Sequence, residues 1–132
     1  MTLEVIRKTI MDLISSFWTA SPIEYDNQSI PDNLISSGWI RPTIIWGDST
    51  IGELGDSGIG EGIAILWIDI FVPSNTGTKI VLEYWQILSD LFRRKSYQGV
   101  NFNEPSPMRG GKDSNSNMYK FVFKIPFEYF IN

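Results

Sequence analysis

Cysteine and histidine are both absent from the 132 residues of this chain. Without cysteine there is no disulfide, no thiolate nucleophile and no cysteine-ligated zinc or iron–sulfur cluster. Without histidine the chain lacks the usual general base near neutral pH and the commonest metal ligand. We therefore expect a protein that is not an enzyme, that holds no cofactor and no metal, and whose function is contact with other proteins.

Long apolar runs are absent as well. The longest, Ile63–Ile68, is the size of a strand, whereas a membrane-spanning helix needs about 20 apolar residues. The beginning of the chain carries Glu4, Arg7, Lys8 and Asp12 within its apolar pattern, which is not typical of a signal peptide. We expect no membrane partner.

The chain also lacks an excess of basic residues. Fifteen acidic residues stand against eleven basic ones, for a net charge of −4, which disfavours non-specific binding of nucleic acid by the whole surface. Hydrophobic residues make up 42% and aromatic residues 14%, so a packed core is expected and disorder is not. The length predicts one domain over residues 1–132.

Two helices are predicted from apolar residues that recur at intervals of three and four. The first starts after Thr2, a good N-cap, and continues to Phe17; Glu4 lies at the positive end of its dipole. The second starts at Thr78 and ends at about Arg93.

Strands account for most of the remaining apolar residues. We predict them at Ile23–Asn27, Trp39–Trp46, Ile63–Val72, Gly99–Glu104 and Met118–Ile131. Together with the helices they predict an α+β fold, a mostly antiparallel sheet of four to five strands with two α-helices packed on one face.

Three strand residues carry further expectations. Pro42 cannot donate to a ladder, so the second strand should lie at a sheet edge or contain a bulge there. Asp69 lies within an apolar strand and needs a partner or an exposed position. From Tyr119 onward the closing strand alternates strictly, so we expect one face of it to be an aromatic row in the core.

Two long polar segments separate these elements, and loops of such length are usually either functional or disordered. We predict the loops Gly47–Gly62 and Pro105–Asn117, and we place the protein interface on them. The candidate interface residues are Asp48, Glu53, Asp56, Glu61, Met108, Arg109 and Lys112.

These two loops fit a phosphate-binding, calcium-binding or catalytic site less well than they fit a protein interface. The glycines at 58–62 precede a strand and lack the Lys-Ser/Thr of a phosphate loop. The four acids do not have the spacing of a calcium loop, and glycine-rich sequence would not hold two carboxylates rigidly for acid/base catalysis. Basic residues at 109–112, with those at 93–95, could touch phosphates or an acidic protein partner.

The order of elements and three segments resemble the tail-terminator (tail-completion) proteins of long-tailed bacteriophages. The segments are Trp39–Gly47, which looks like the family's strand with Trp, a hydrophobic residue and Arg; Leu66–Pro73 followed by Gly77, like its central strand; and Met118–Phe127, like its closing strand. Pro42 stands where that family has an ordinary strand residue.

The resemblance implies a structural virion protein, assembled in the host cytoplasm. Family members form a ring, commonly of six subunits, on the last ring of the tail tube, where they stop tube polymerisation and join the tail to the neck. The partners implied are further copies of the chain, the major tail tube protein and the neck connector protein, with DNA passing through the lumen without specific binding.

Three alternatives remain open at this point. A head-completion subunit of the connector is of similar size, and a monomeric protein-binding or inhibitor domain could use surface aromatics such as Trp18, Trp39 or Trp46. An enzyme that works through carboxylates or tyrosines alone is the third.

Overall fold

The computed structural model describes residues 2–28, 38–51, 60–108, 110–112 and 118–131, without the side chains of 49–51 and 131. The helices are α1 (Leu3–Phe17) and α2 (Lys79–Phe92). The strands are β1 (Trp39–Ile51), β2 (Gly60–Pro73), β3 (Ser96–Tyr97), β4 (Val100–Phe102), β5 (Ser106–Pro107), β6 (Gly111–Lys112) and β7 (Met118–Ile131).

One sheet contains all these strands. Its order is β1-β2-β7-β4-β3, with β5 and β6 also paired to β7, and every one of these pairings is antiparallel. The predicted α+β class is confirmed. The prediction of four to five strands is too low, because β3, β5 and β6 have two residues each and therefore show no period in the sequence.

The predicted strand Ile23–Asn27 is wrong. In its place the structure has a single parallel bridge between Ile23 and Ile40. The chain then turns away, with a hydrogen bond from the Gln28 N–H to the Tyr25 carbonyl (3.1 Å) and Asn27 in the left-handed region at φ 57°. A reversal this close to the bridge leaves no room for a ladder.

Pro42 fits its strand because β1 is the edge strand. The N–H of Ile40 donates to the Pro22 carbonyl (3.1 Å) and its own carbonyl accepts from Glu24 (2.8 Å), so Ile40 bonds outward. In an antiparallel ladder the backbone N–H and C=O groups of successive residues point alternately toward and away from the neighbouring strand. The backbone nitrogen of Pro42, two residues after Ile40, therefore also faces away from β2, and its missing N–H costs no hydrogen bond of the β1–β2 ladder. The bulge of β1 lies between Trp46 and Ser49, not at Pro42.

The helices cover one face of the sheet, as predicted. Along β7 the alternate residues Phe123, Ile125, Phe127 and Tyr129 are at most 2% exposed, in one core cluster with the buried residues of both helices. We call this the covered face; its other buried strand residues are Ile40, Ala64, Leu66, Ile68, Ile70, Val72, Val100 and Phe102. We call the opposite side the open face.

Both helices have the predicted positions to within one residue. The Thr2 side chain accepts a hydrogen bond from the Val5 N–H (3.2 Å) and so caps α1. Thr78 precedes α2 and makes no such bond. Among the described residues, no helix has the length and apolar character needed to cross a membrane.

The two predicted loops are both shorter than expected. The β1–β2 ladder continues beyond its bulge to Ile51 and Gly60, so both ends of the predicted loop Gly47–Gly62 belong to strands. Within Pro105–Asn117, β5 and β6 each pair with β7. The sequence analysis missed these strand ends because glycine is unfavourable in strands. Gly62 nevertheless suits its position in β2, because a side chain there would overlap the ring of Tyr129.

Candidate protein-interaction surface

The predicted acidic interface residues lie in part at one end of the open face. Asp48 is in β1 and Glu61 in β2, and together with Glu128 of β7 they line a small cavity of about 180 Å³. Glu53 and Asp56 lie outside the described residues. The structure therefore brings two of the predicted acids together and adds Glu128, which the sequence analysis missed.

The predicted basic residues lie toward the other end of β7. Met108 follows β5, is 37% exposed, and donates its N–H to the Val122 carbonyl (2.8 Å). Lys112 is in β6 and pairs with Tyr119, ten residues before Tyr129 in the same strand. Arg109 lies outside the described residues. The two predicted groups are thus at opposite ends of the sheet and do not form one site.

Two of the three basic residues at the end of α2 share one acidic partner. Arg93 and Arg94 both approach Glu104, with Nε–carboxylate distances of 3.0 and 3.4 Å. Arg93 also donates to the Ser89 hydroxyl (2.9 Å). One carboxylate balances only one of the two guanidinium charges, and Lys95 forms no ion pair with a described residue, so this end of α2 keeps a net positive charge.

Asp69 forms an ion pair, as a carboxylate within an apolar strand requires. Arg41, directly opposite on β1, donates to it through Nε and Nη2 at 3.1 and 2.7 Å, and the Trp67 indole N–H donates to its other oxygen at 3.0 Å. The Asp69 side chain is 7% exposed and that of Arg41 is 38% exposed. The buried carboxylate is therefore both paired and hydrogen-bonded.

Beside this pair, part of the open face is covered by side chains of the chain itself. Trp39 stacks on Phe71 with ring centroids 4.3 Å apart, and Met118 joins them in a second small core. The Trp39 indole N–H donates to Glu24 (2.9 Å), and the Arg41 guanidinium lies 4.9 Å from the Phe71 centroid. This half of the open face is sealed by the chain's own side chains.

The other half of the open face is apolar and uncovered by any described residue. Ile45 is 47% exposed and Ile63 59% exposed, while Ile65, Trp67 and Pro126 are half-buried. We call these five residues the apolar band. The sequence indicated this surface in part, because β2 is apolar on both faces. The structure adds that the helices cover only one of these faces.

Charged residues flank the apolar band along β7. Lys124 pairs in register with Trp67, and Glu128 with Ile63. Neither forms an ion pair with a described residue, and the same holds for Lys120. The band is thus bordered by Lys124 on one side and by Asp48, Glu61 and Glu128 on the other, whereas Lys120 lies farther along β7, in register with Phe71.

A cleft elsewhere on the described part of the chain does not combine apolar and unpaired charged residues in the same way. It has a volume of about 570 Å³ and lies between α1 and β1, where Met11, Ile44 and Trp46 contribute to its walls. Two of its charged residues, Arg7 and Asp12, already pair with other α1 side chains, and Asp26 is a third charged residue in its lining. Within the described part of the chain no three acidic residues are grouped so that they could hold a metal ion.

Comparison with known proteins shows the fold alone. No family model matches the chain, and no curated protein sequence matches it either. Several solved structures are similar to it, and one of them, named by a sequence identifier, superposes on it with a TM-score of 0.71. The two chains are 15% identical, and the superposition covers 98% of this chain and 96% of the other.

Proposed function

We propose that this chain is a structural virion protein of a long-tailed bacteriophage. It forms a ring at the head-proximal end of the tail tube, stops tube polymerisation there and joins the tail to the neck. The proposal starts from the resemblance to tail-terminator proteins. The observation that supports it best is that the three resembling segments fall in β1, β2 and β7, which are adjacent strands in one sheet.

The distribution of the candidate interface residues fits a ring. A closed ring needs two different complementary patches on each subunit. Asp48 and Glu61 lie at one end of the sheet, and Met108 and Lys112 lie toward the other, on separate elements. In the proposal these two groups contact different neighbours among the adjoining subunit, the tube protein and the neck connector protein.

The charge of the chain suits the passage of DNA through such a ring. With six copies, as is common in the family, the total is 6 × (−4) = −24. A lumen of this sign repels the DNA backbone, so DNA slides through without specific binding. In this proposal the protein has no catalytic role and needs no cofactor, since its function consists of contacts alone.

Electron microscopy of the purified protein added to polymerising tube protein tests this proposal. We expect rings with a central hole, bound at tube ends, and tubes that stop growing. The variant Asp48→Lys/Glu61→Lys should lose the tube-end rings, whereas the matched variant Lys79→Glu, on the exposed side of α2, should keep them. Unrestricted tube growth in the presence of the wild-type protein would contradict the proposal.

A further inference from the structure

The apolar band lies in the half of the open face that no described element covers. Its members lie side by side on three strands: Ile45, Ile65 and Pro126 pair in one row across β1, β2 and β7. We call this the central row. An exposed apolar patch of this kind, bordered by charge, is typical of a protein-contact surface.

The residues on either side of the central row are complementary to one another. On β7, Lys124 lies two positions before Pro126, and Glu128 lies two positions after it. On β2, Trp67 and Ile63 lie at the same distances from Ile65. The face therefore carries a cation and a carboxylate at equal spacing about an apolar centre.

We propose that two copies of this chain pair through the open face, about a two-fold axis that runs along the central row. The strands of one copy then oppose the same strands of the other in the reverse direction. Glu128 of each copy meets Lys124 of the second copy, so two ion pairs form. Ile63 of each copy packs on Trp67 of the second copy, and the central rows pack on each other.

Charge complementarity identifies the occupant and the orientation. One face supplies both members of each ion pair, as a second copy requires. With the axis along the strands instead, β7 would oppose β1 of the second copy, and Glu128 would meet the acid end that contains Asp48. That arrangement brings like charges together, so the axis along the central row is favoured.

The size of the patch predicts a weak pair. From Val122 to Phe130 a strand spans about 27 Å, and three strands span about 14 Å, so each copy contributes roughly 400 Å². A total of about 800 Å² is below the size of stable specific interfaces and within the range of weak, transient contacts. The exposed ion pairs set the orientation, while the apolar centre provides the affinity.

This pair goes beyond the proposed ring. A two-fold contact closes at two copies, whereas a ring is built from heterologous contacts. The pair is therefore a state of the free subunit and does not depend on the phage assignment.

Sedimentation over a wide range of protein concentrations tests the pairing at low salt. We expect a monomer–dimer equilibrium for the wild type and dimerisation weakened about tenfold or more in Lys124→Glu and in Glu128→Lys, because like charges then face each other. The double variant Lys124→Glu/Glu128→Lys should recover dimerisation. So should a mixture of the two single variants, since each then supplies what the other lacks.

Controls separate this effect from misfolding. Glu83→Lys, on the exposed side of α2, should dimerise like the wild type, and circular dichroism should show all variants folded. Ile63→Asp should abolish dimerisation. A wild type that stays monomeric, a species larger than two copies, or single charge variants that dimerise normally would each overturn the pairing.

The two proposals fail in distinguishable ways. If Lys124→Glu leaves dimerisation unchanged while the wild type still forms rings on tube ends, the pairing is wrong and the proposed function stands. If the charge variants behave as expected but no ring binds a tube, the proposed function is wrong and the pairing stands.

Discussion

The two faces of the sheet are made from the same strands and have opposite character. On the covered face, successive inward residues of β2 and β7 such as Leu66 and Phe123 are fully buried beneath two helices. On the open face, the residues between them include a half-buried ion pair, a small aromatic cluster and the apolar band. A one-residue step along a strand separates the two environments.

The comparison of the two faces shows that an apolar residue of a strand is not necessarily buried in the monomer. Ile63 and Ile68 belong to one strand and to the same apolar run, yet Ile63 is 59% exposed and Ile68 is 0% exposed. The helices provide enough apolar surface to cover one face only. The remaining apolar surface of β2 is available for contact with another molecule.

The largest contrast should come from truncating one large side chain on each face. Phe123→Ala removes a fully buried ring and leaves a cavity, so we expect a loss of about 3–5 kcal/mol in unfolding free energy. Ile63→Ala on the open face should cost less than about 1 kcal/mol. Urea unfolding of dilute protein measures both. Equal losses would show that the open face is buried in the monomer.

A second contrast uses two glycines. A methyl group at Gly62 would overlap the Tyr129 ring on the covered face, so Gly62→Ala should cost about 1–3 kcal/mol by overpacking. Gly111 in β6 has nothing within 4 Å of the corresponding position, and Gly111→Ala should change stability by no more than about 0.5 kcal/mol. Thermal unfolding compares the two; a neutral Gly62→Ala would contradict the tight packing of the covered face.

The smallest contrast concerns two carboxylates that both lie on the open face. Asp69→Ala leaves the Arg41 guanidinium and the Trp67 indole N–H without their acceptor, which should cost about 1–2 kcal/mol given the partial exposure of Arg41. Glu128→Ala should stay within about 0.5 kcal/mol in the monomer, because Glu128 is exposed and has no ion pair with a described residue. Chemical unfolding at low protein concentration checks both. A similar loss in the two variants would mean that the Arg41–Asp69 pair adds nothing to the stability of the monomer.

Sequence periodicity predicted the elements whose pattern is long enough to read. Both helices, the edge position of the strand with Pro42, and the aromatic row of β7 are confirmed. The need of Asp69 for a partner was also predicted, because a buried carboxylate is costly alone. The strand ends near Gly47 and Gly62 were assigned to a loop, since glycine and acidic residues favour loops when only the local sequence is considered.

The sequence by itself determined the α+β class, the helix positions, the apolar nature of β2 and the exclusion of cysteine and histidine chemistry. These follow from composition and from periods of two and 3.6 residues, which act locally. The tertiary structure alone decided that Arg41 meets Asp69, that Glu128 joins Asp48 and Glu61, and that the apolar band is left uncovered. Each of these depends on the register between strands distant in the chain, and on which sheet face the helices cover, which no local pattern specifies.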